Sequence, residues 1–385
     1  MESSWVASFC RQEEAAGDRS GFPGYGRELE ALRRAGRLRE RRVFPEGVVD
    51  LASNDYLGLA EKPRRLHEAL KLLEGVRAHA PKASMLVNGT HPIHRRLEEE
   101  LAAANGFESG LMVGSGFLAN LSLIEALVRK KDHLFIDEEY HASGMMATGL
   151  LEGRVTRFRH NDPEDLWRKI HGIKARRKIV AVEGVYSMSG TLADREIFDV
   201  AREAGALLIV DEAHSAGVLG ETLLGIFEHY GIAPGPEHLK MGTLGKAYGS
   251  YGAYILASQE IVRYLENRAK PVIYSTAPSV IDTALALGNF RHLREKAGKY
   301  RRALEARRRI VAEELGIGMR SQILPVPVAG NRRALELQRM LMEEGALVGA
   351  IRQPTVERPI LRIIPRLGVS KRKLRRALRV LKEHL

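Results

Sequence analysis

Lys246 stands in a glycine-rich run, GTLGKAYGSYG (242–252), directly after the apolar stretch KMGTL (240–244). Asp211 closes a second apolar run, ALLIVD, and His214 follows it three residues later. His141 comes just after a third, HLFID (133–137). The tetrapeptide Gly114-Ser115-Gly116-Phe117 joins the short run GLMV (110–113) to the helix-like LANLSLIEALV. An amine, an acid at a strand end, two imidazoles and a glycine turn opening a helix make a set that could do chemistry together.

Two chemistries compete for these residues. The letters D-E-A-H at 211–214 after an apolar strand suit the magnesium site of a nucleic-acid-dependent ATPase. That machinery needs a G-x-x-x-x-G-K-[ST] phosphate loop. The one comparable loop, around Gly245-Lys246, has Lys240 where the first glycine belongs and Ala247 where the hydroxyl belongs. The ATPase reading therefore lacks its phosphate site. Pyridoxal 5′-phosphate (PLP) asks for what is present. It needs a lysine for a Schiff base, an acid against the pyridinium nitrogen, and an anion site for its phosphate. Lys246 is the candidate for the Schiff base, and burial would lower its pKa and free the amine. Asp211 suits the ring nitrogen, His214 the ring hydroxyl, and His141 can stack on the ring. The backbone amides after Ser115, at Gly116 and Phe117, open a helix and suit the phosphate. Each residue alone has a plainer role, as a helix cap, a structural histidine or a surface lysine. Order and placement together carry the chemistry.

The elements that must position these groups are legible as an alternation. Apolar runs at 110–113, 133–137, 178–185, 206–212, 240–244 and 253–258 read as strands, with helix-like stretches at 117–130, 162–173 and 195–204 between several of them. Strands apolar throughout and separated by helices imply a mostly parallel sheet buried on both faces. Ligands of such sheets bind outside the carboxyl ends of the strands, where the candidate residues fall. A helical arm is expected over about 28–42, and short strands near 323–328 and 361–365 followed by a final helix suggest a smaller α+β unit. The division expected is an arm (1–45), a large cofactor-binding domain (46–285) and a small C-terminal domain (286–385).

The 385 residues carry 60 Lys and Arg against 48 Asp and Glu, a net charge of +12. Such an excess raises the prospect of a polyanionic partner. It is concentrated, however. Residues 291–310 and 365–385 each carry +7, leaving the rest of the chain at −2. Both segments read as amphipathic helices outside the candidate site, so no nucleic-acid partner is expected. The single cysteine, Cys10, cannot form an intrachain disulfide and suits a reducing cytoplasm. No apolar run approaches a membrane span, and no metal site is expected.

The segments LASNDYLGLA (51–60), NGTHPIHRRLEEEL (88–101), GSGFLAN (114–120), DEEYHAS (137–143), VEGVYSMSG (182–190), VDEAHSAGVLG (210–220), GTLGKAYGSYG (242–252), YSTAP (274–278) and IRQPTV (351–356) occur in one order. With them the chain resembles the α-oxoamine synthases, PLP enzymes of fold type I (aspartate aminotransferase-like), over about residues 28–365. The resemblance implies roles for matching positions. Lys246 would hold the cofactor and act as acid and base, Asp211 would pair with the pyridinium, and His141 would stack. His214 and Ser187 would face the ring hydroxyl. Gly116, Phe117 and Thr243 would bind the phosphate. Ser275 and Thr276 would reach the cofactor phosphate of a partner subunit, implying a homodimer. Arg39, Asn54, His94 and Thr355 match substrate-contacting positions. The implied reaction condenses an amino acid with an acyl-CoA, releasing CoA and carbon dioxide, with L-alanine and pimeloyl-CoA (biotin synthesis) the favoured pair. Glycine-using acetyltransferase or 5-aminolevulinate-forming activity is the alternative. Two departures bear on the substrate. Ser84 is followed by Met85 where the family has Ser-Arg. Ile360 stands where the first arginine of an Arg-x-Arg pair is usual, leaving Arg362 or Arg358 to hold the amino-acid carboxylate.

Overall fold

The computed structural model describes residues 24–151 and 154–384. Cys10 lies outside them. Twelve strands run in chain order as β1 (Val49–Asp50), β2 (Ser109–Val113), β3 (His133–Asp137), β4 (Val155–Phe158), β5 (Lys178–Glu183), β6 (Leu207–Asp211), β7 (His238–Thr243), β8 (Ala253–Ala257), β9 (Leu324–Pro327), β10 (Ala346–Leu347), β11 (Gly349–Ile351) and β12 (Ile360–Ile363). Seven make one sheet in the order β2-β8-β7-β6-β5-β3-β4. Within it β8 is antiparallel to both neighbours and the other pairings are parallel. This is the mostly parallel sheet that the apolar runs imply. Five of six residues in β5 and in β7, and all of β8, are buried, because helices cover both faces. Two apolar clusters lie on the two sides. Val180, Val182, Leu208 and Val210 belong to one, and Ile179, Ala181, Ile209 and Leu239 to the other. That is the strand alternation of period two.

Strand β4 is absent from the sequence expectation. It is short, half-polar (Val-Thr-Arg-Phe) and lies at the sheet edge, so neither a full apolar run nor a clean alternation announces it. The N-terminal helix is shorter than expected. It spans Tyr25–Arg34, ends at Ala35–Gly36, and gives way to irregular chain over 37–47. Gly36 has φ +63°, the left-handed geometry at which helices commonly stop.

The boundary expected at 285/286 falls inside one helix, Val280–Glu295. Its residues Val280, Ala284, Leu287 and Phe290 pack in the same cluster as Leu97 and Leu101 of the helix Pro92–Asn105. The separate C-terminal cluster begins with Ile310 and Val311 and gathers β9, β12 and the last helix, Lys371–His384. It also takes Leu51 from the N-terminal side, because β1 pairs in parallel with β10. The small unit is thus built from both ends of the chain.

The basic segment 291–310 is not one helix. Lys296 breaks it between Val280–Glu295 and Ala297–Leu315. Much of its charge, and that of the last helix, is spent inside the fold. Arg291 pairs with Glu100, Arg294 bonds the Thr222 hydroxyl, and buried Arg307 bonds the Val369 carbonyl. Arg375 and Arg379 both grip Glu314, holding its carboxyl down at about 2.

One buried arginine joins the two units. Arg366 is 2% exposed and forms ion pairs with Asp50 (2.7 Å), Asp55 (2.8 Å) and Glu61 (2.8 Å). Beside it Gly58, at φ +65°, lies so close to Gly368 that a Cβ would come within 2.7 Å of its backbone. Burial raises the Asp55 carboxyl even with Arg366 beside it. Removing one partner of a buried pair leaves an uncompensated charge. Arg366→Met is therefore expected to destabilise the protein by about 3–5 kcal/mol, read in denaturant unfolding. Adding Asp55→Asn is expected to recover part of that loss, and no recovery would show that the pair is not the cause.

Candidate active site

The carboxyl ends of the parallel strands deliver the site. Val113 of β2 leads to Ser115 and the helix Gly116–Leu127, and Asp137 of β3 leads to His141 and the helix Ala142–Thr148. Glu183 ends β5 ahead of Ser187, Asp211 ends β6 ahead of His214, and Thr243 ends β7 ahead of Lys246. Sheet register sets Glu183 directly beside Asp211. Laterally paired residues of parallel strands face the same side, so two carboxyl groups meet in an apolar surround.

Lys246 Nζ lies 2.7 Å from His214 Nε2, and His214 Nδ1 lies 2.6 Å from the Tyr56 hydroxyl. Burial pulls the Lys246 amine down to about 8, against the opposing pull of Asp211 and Glu183 and with help from Arg362. His214 is 6% exposed, and burial with the adjacent Lys246 charge pushes it well below its ordinary value, so it is a neutral imidazole. Asp211 is 4% exposed. Its two oxygens accept from Asn120 Nδ2 (2.8 Å) and from the Ala213 amide (2.9 Å). His141 caps its helix by accepting from the Ser143 amide, and burial lowers it too, Asp211 pulling the other way. Glu183 accepts from the Ser187 amide at 2.9 Å through one oxygen, while the other is buried without a partner. Burial and the Asp211 charge push its carboxyl well above the usual range, with Lys246 pulling the other way.

Arg362 reaches in from β12. It donates to the Ser187 carbonyl (2.7 Å) and to Asn54 Oδ1 (2.9 Å), and its remaining terminal nitrogen is buried without a partner. Ile360, two residues earlier on the same strand face, is a buried apolar residue. Arg358 is exposed. At the phosphate end, the Ser115 hydroxyl accepts from the Leu118 amide, and helix geometry leaves the Gly116 and Phe117 amides over. Thr243 lies beside them, since a Cβ on Gly116 would come within 3.8 Å of its own Cβ.

The remaining expected residues divide. Arg39 donates to the Thr355 hydroxyl at 2.8 Å, which brings those two together at an exposed edge. Ser275 and Thr276 lie on a loop held by the pairing of Thr276 with Ser84 and of the Ala277 amide with the Ala83 carbonyl. Among the described residues no hydrogen bond joins that loop to the Lys246 cluster. His94 is corrected. It is wholly buried, its Nδ1 accepts from the His91 amide, and its Nε2 faces the Pro278 carbonyl at 2.9 Å. Both nitrogens are occupied by backbone, so His94 ties the helix Pro92–Asn105 to the 278 loop and has none free for substrate. Glu212 of the D-E-A-H letters is likewise structural, facing buried Lys240 at 3.2 Å and accepting from Ser215 and the Ile226 amide. Sequence reasoning passes over Tyr56, Asn120, Tyr140 and Glu183. All four lie in the motif segments, but only side-chain contacts across the fold give them roles. No group of three or more His, Cys, Asp or Glu side chains is placed to hold a metal among the described residues.

This arrangement, on a seven-stranded sheet with a lysine after β7 and an acid at the end of β6, defines a PLP enzyme of fold type I. Comparison with known proteins agrees. The family model for class I and II aminotransferases matches residues 46–381. The 8-amino-7-oxononanoate synthase of Helicobacter pylori is 45% identical over 341 residues, 88% of this chain and 91% of that protein. The counterpart in Geobacter sulfurreducens is 39% identical over 357 residues, 86% and 89% of the two chains. A solved serine palmitoyltransferase of Sphingomonas wittichii is 26% identical with a TM-score of 0.85, covering 96% of this chain and 98% of its own. The chain belongs to the class I and II aminotransferase family, in its α-oxoamine synthase branch. It is an enzyme, and its cofactor is PLP.

The residues present fit that group. An acidic acceptor at a strand end, an amine near neutrality, free helix-start amides and two neutral imidazoles converge, and buried Glu183 and Arg362 keep polar atoms unpaired. Schiff-base formation requires the unprotonated amine. Uptake of PLP by the apoprotein is therefore expected to rise with pH to a midpoint near about 8, where Lys246 loses its proton, rather than near an ordinary lysine value. Lys246→Ala is expected to abolish the visible absorbance band. A band that survives in this variant would place the cofactor elsewhere.

Proposed function

We propose that the enzyme condenses L-alanine with pimeloyl-CoA, releasing CoA and carbon dioxide, the α-oxoamine-forming step of biotin synthesis. The relatives' names support the reaction, and the observation that carries the site's part in it is the unpaired nitrogen of buried Arg362. A buried guanidinium with two hydrogen bonds made and one nitrogen free matches one oxygen of a substrate carboxylate. With Ile360 apolar and Arg358 exposed, Arg362 takes the duty of the first arginine of the family's pair.

When bound, PLP supplies an electron sink for a carbanion at the amino acid's Cα. The protein's own groups do the rest. Asp211, held by Asn120 and Ala213, would accept the pyridinium N–H. Lys246 takes the Cα proton through its near-neutral amine and returns one after carbon dioxide has left. His214, steadied by Tyr56, would offer a hydrogen bond to the ring hydroxyl. Arg362 fixes the carboxylate that is later lost.

The protein is proposed to act as a homodimer in the cytoplasm. The large side chains of Val87, Phe117, Tyr251 and Tyr274 are exposed around the loops bearing the phosphate residues, as a surface covered by a second copy would be. Ser275 and Thr276, unattached to the site within one protomer, suit a role across that interface. Arg39 and Thr355 are proposed to meet substrate from the rim.

Thiol release with alanine, glycine and serine against pimeloyl-, acetyl- and succinyl-CoA tests the assignment. Alanine with pimeloyl-CoA is expected to give the highest kcat/KM. Glycine winning by a wide margin would replace it with the glycine-using alternative. Arg362→Ala is expected to raise KM for the amino acid roughly 10- to 150-fold, the loss of a hydrogen bond between charged groups. Unchanged affinity would move the carboxylate site elsewhere.

A further inference from the structure

Asn120 sits in the second turn of the helix Gly116–Leu127 with its side chain buried at 1% exposure. Its amide makes three hydrogen bonds. Asn120 Nδ2 lies 2.8 Å from Asp211 Oδ2 and 2.9 Å from Ser143 Oγ, and Tyr140 Oη lies 2.7 Å from Asn120 Oδ1. Tyr140 and Ser143 are buried as well. A fourth bond continues the chain, Ser143 Oγ to His141 Nδ1 at 2.7 Å.

Every direction in this chain is fixed by what its atoms can do. Turning the amide around would set Oδ1 against the Asp211 acceptor, so Nδ2 must face the carboxyl group. Both amide hydrogens are then spent, one on Asp211 and one on the Ser143 hydroxyl. Oδ1 can only accept, so Tyr140 donates to it. His141 Nδ1 accepts from the Ser143 amide and carries no hydrogen, so the Ser143 hydroxyl donates its proton there. The ring proton of neutral His141 is left on Nε2. One amide therefore orients the acid on one strand end and, through a single hydroxyl, sets the tautomer of the imidazole on another.

We infer that Asn120 is a positioning residue for the reaction, locking Asp211 and His141 into one unit so that acid and imidazole meet the cofactor ring in fixed orientation and protonation. This rests on the reading of Asp211 and His141 as the ring's partners. The other charged or titratable groups facing the pair are Lys246, Glu183, Tyr140, His214 and Tyr254. None of them can replace the amide. The Tyr140 hydroxyl is committed to Asn120, the Glu183 oxygen to Ser187, and Lys246 to the cofactor.

The full chain loaded with PLP is compared with Asn120→Asp and Ser143→Ala, following the cofactor's visible band against pH together with kcat and KM for the amino acid. In Asn120→Asp an acceptor replaces the donor facing Asp211, and two carboxylates so placed share a proton. The midpoint of the band's pH titration is expected to move by about one unit or more, and kcat to fall roughly 100-fold with KM within about threefold. Ser143→Ala keeps the Asp211 bonds and cuts the link to His141. Its kcat is expected to fall about tenfold, with a smaller displacement of the midpoint. Loaded wild type with a normal band, beside variants whose midpoint and kcat are unmoved, overturns the positioning role and leaves the cofactor reading intact. A wild type that gains no band with PLP overturns both. If Asn120→Asp does not fold, an unmoved Ser143→Ala is enough to overturn the proposal.

Discussion

Two carboxyl groups end neighbouring strands of an apolar sheet, and the site is organised around the cost of keeping them there. Glu183 and Asp211 are in register and both buried. Two like charges so close and so dry cannot both persist cheaply. The fold resolves the conflict unequally. Asp211 receives two donated hydrogen bonds, from Asn120 and Ala213, while Glu183 receives one and its carboxyl is pushed well above the usual range. The same inequality assigns the tasks. The acid with donors fixed on it is the one suited to a pyridinium.

Cations reach this acidic end from separate parts of the chain. Lys246 follows the next strand of the same sheet, and Arg362 belongs to the three-stranded sheet of the small unit. The joint that carries Arg362 into place has to be stiff. Arg366, four residues on, is locked to Asp50, Asp55 and Glu61, and Asn54 from the same segment holds Arg362 itself. The close approach of Gly58 to Gly368 allows the two backbones to lie against each other. The segment 50–61 is thus held to the small unit at several points, and its Tyr56 ends at His214.

The legible parts of the sequence are those in which local pattern and environment coincide. β3, β5 and β6 are buried on both faces, and their unbroken apolar runs appear within a residue or two of their true bounds. The candidate lysine, acid and imidazoles were visible because such a sheet delivers ligands at its strand ends. β4 was hidden because an edge strand has only one neighbour to satisfy. His94 was misread because a histidine that caps a helix and one that meets a substrate look alike until the atoms around both nitrogens are known. The Asn120 chain was beyond reach for a related reason. Its members lie on two helices, a turn and a strand end, and nothing local in GSGFLAN says where the amide of its last residue points. Charge was misleading in a different way. Basic residues at 291–310 and 365–385 look like a polyanion surface, yet several of them are paired to Glu100, Glu313 and Glu314, and Arg307 is buried against a carbonyl.

The balance at Lys246 shows how these arrangements act together. Burial lowers the amine and Arg362 adds to that, whereas Asp211 and Glu183 oppose it. Negative charge at the strand ends favours the ammonium, and burial disfavours it. Burial outweighs the two acids, and the guanidinium adds to it. The amine settles near about 8, within reach of proton transfer at physiological pH. The two acids therefore limit the lowering of the lysine, and burial is what brings its amine into reach.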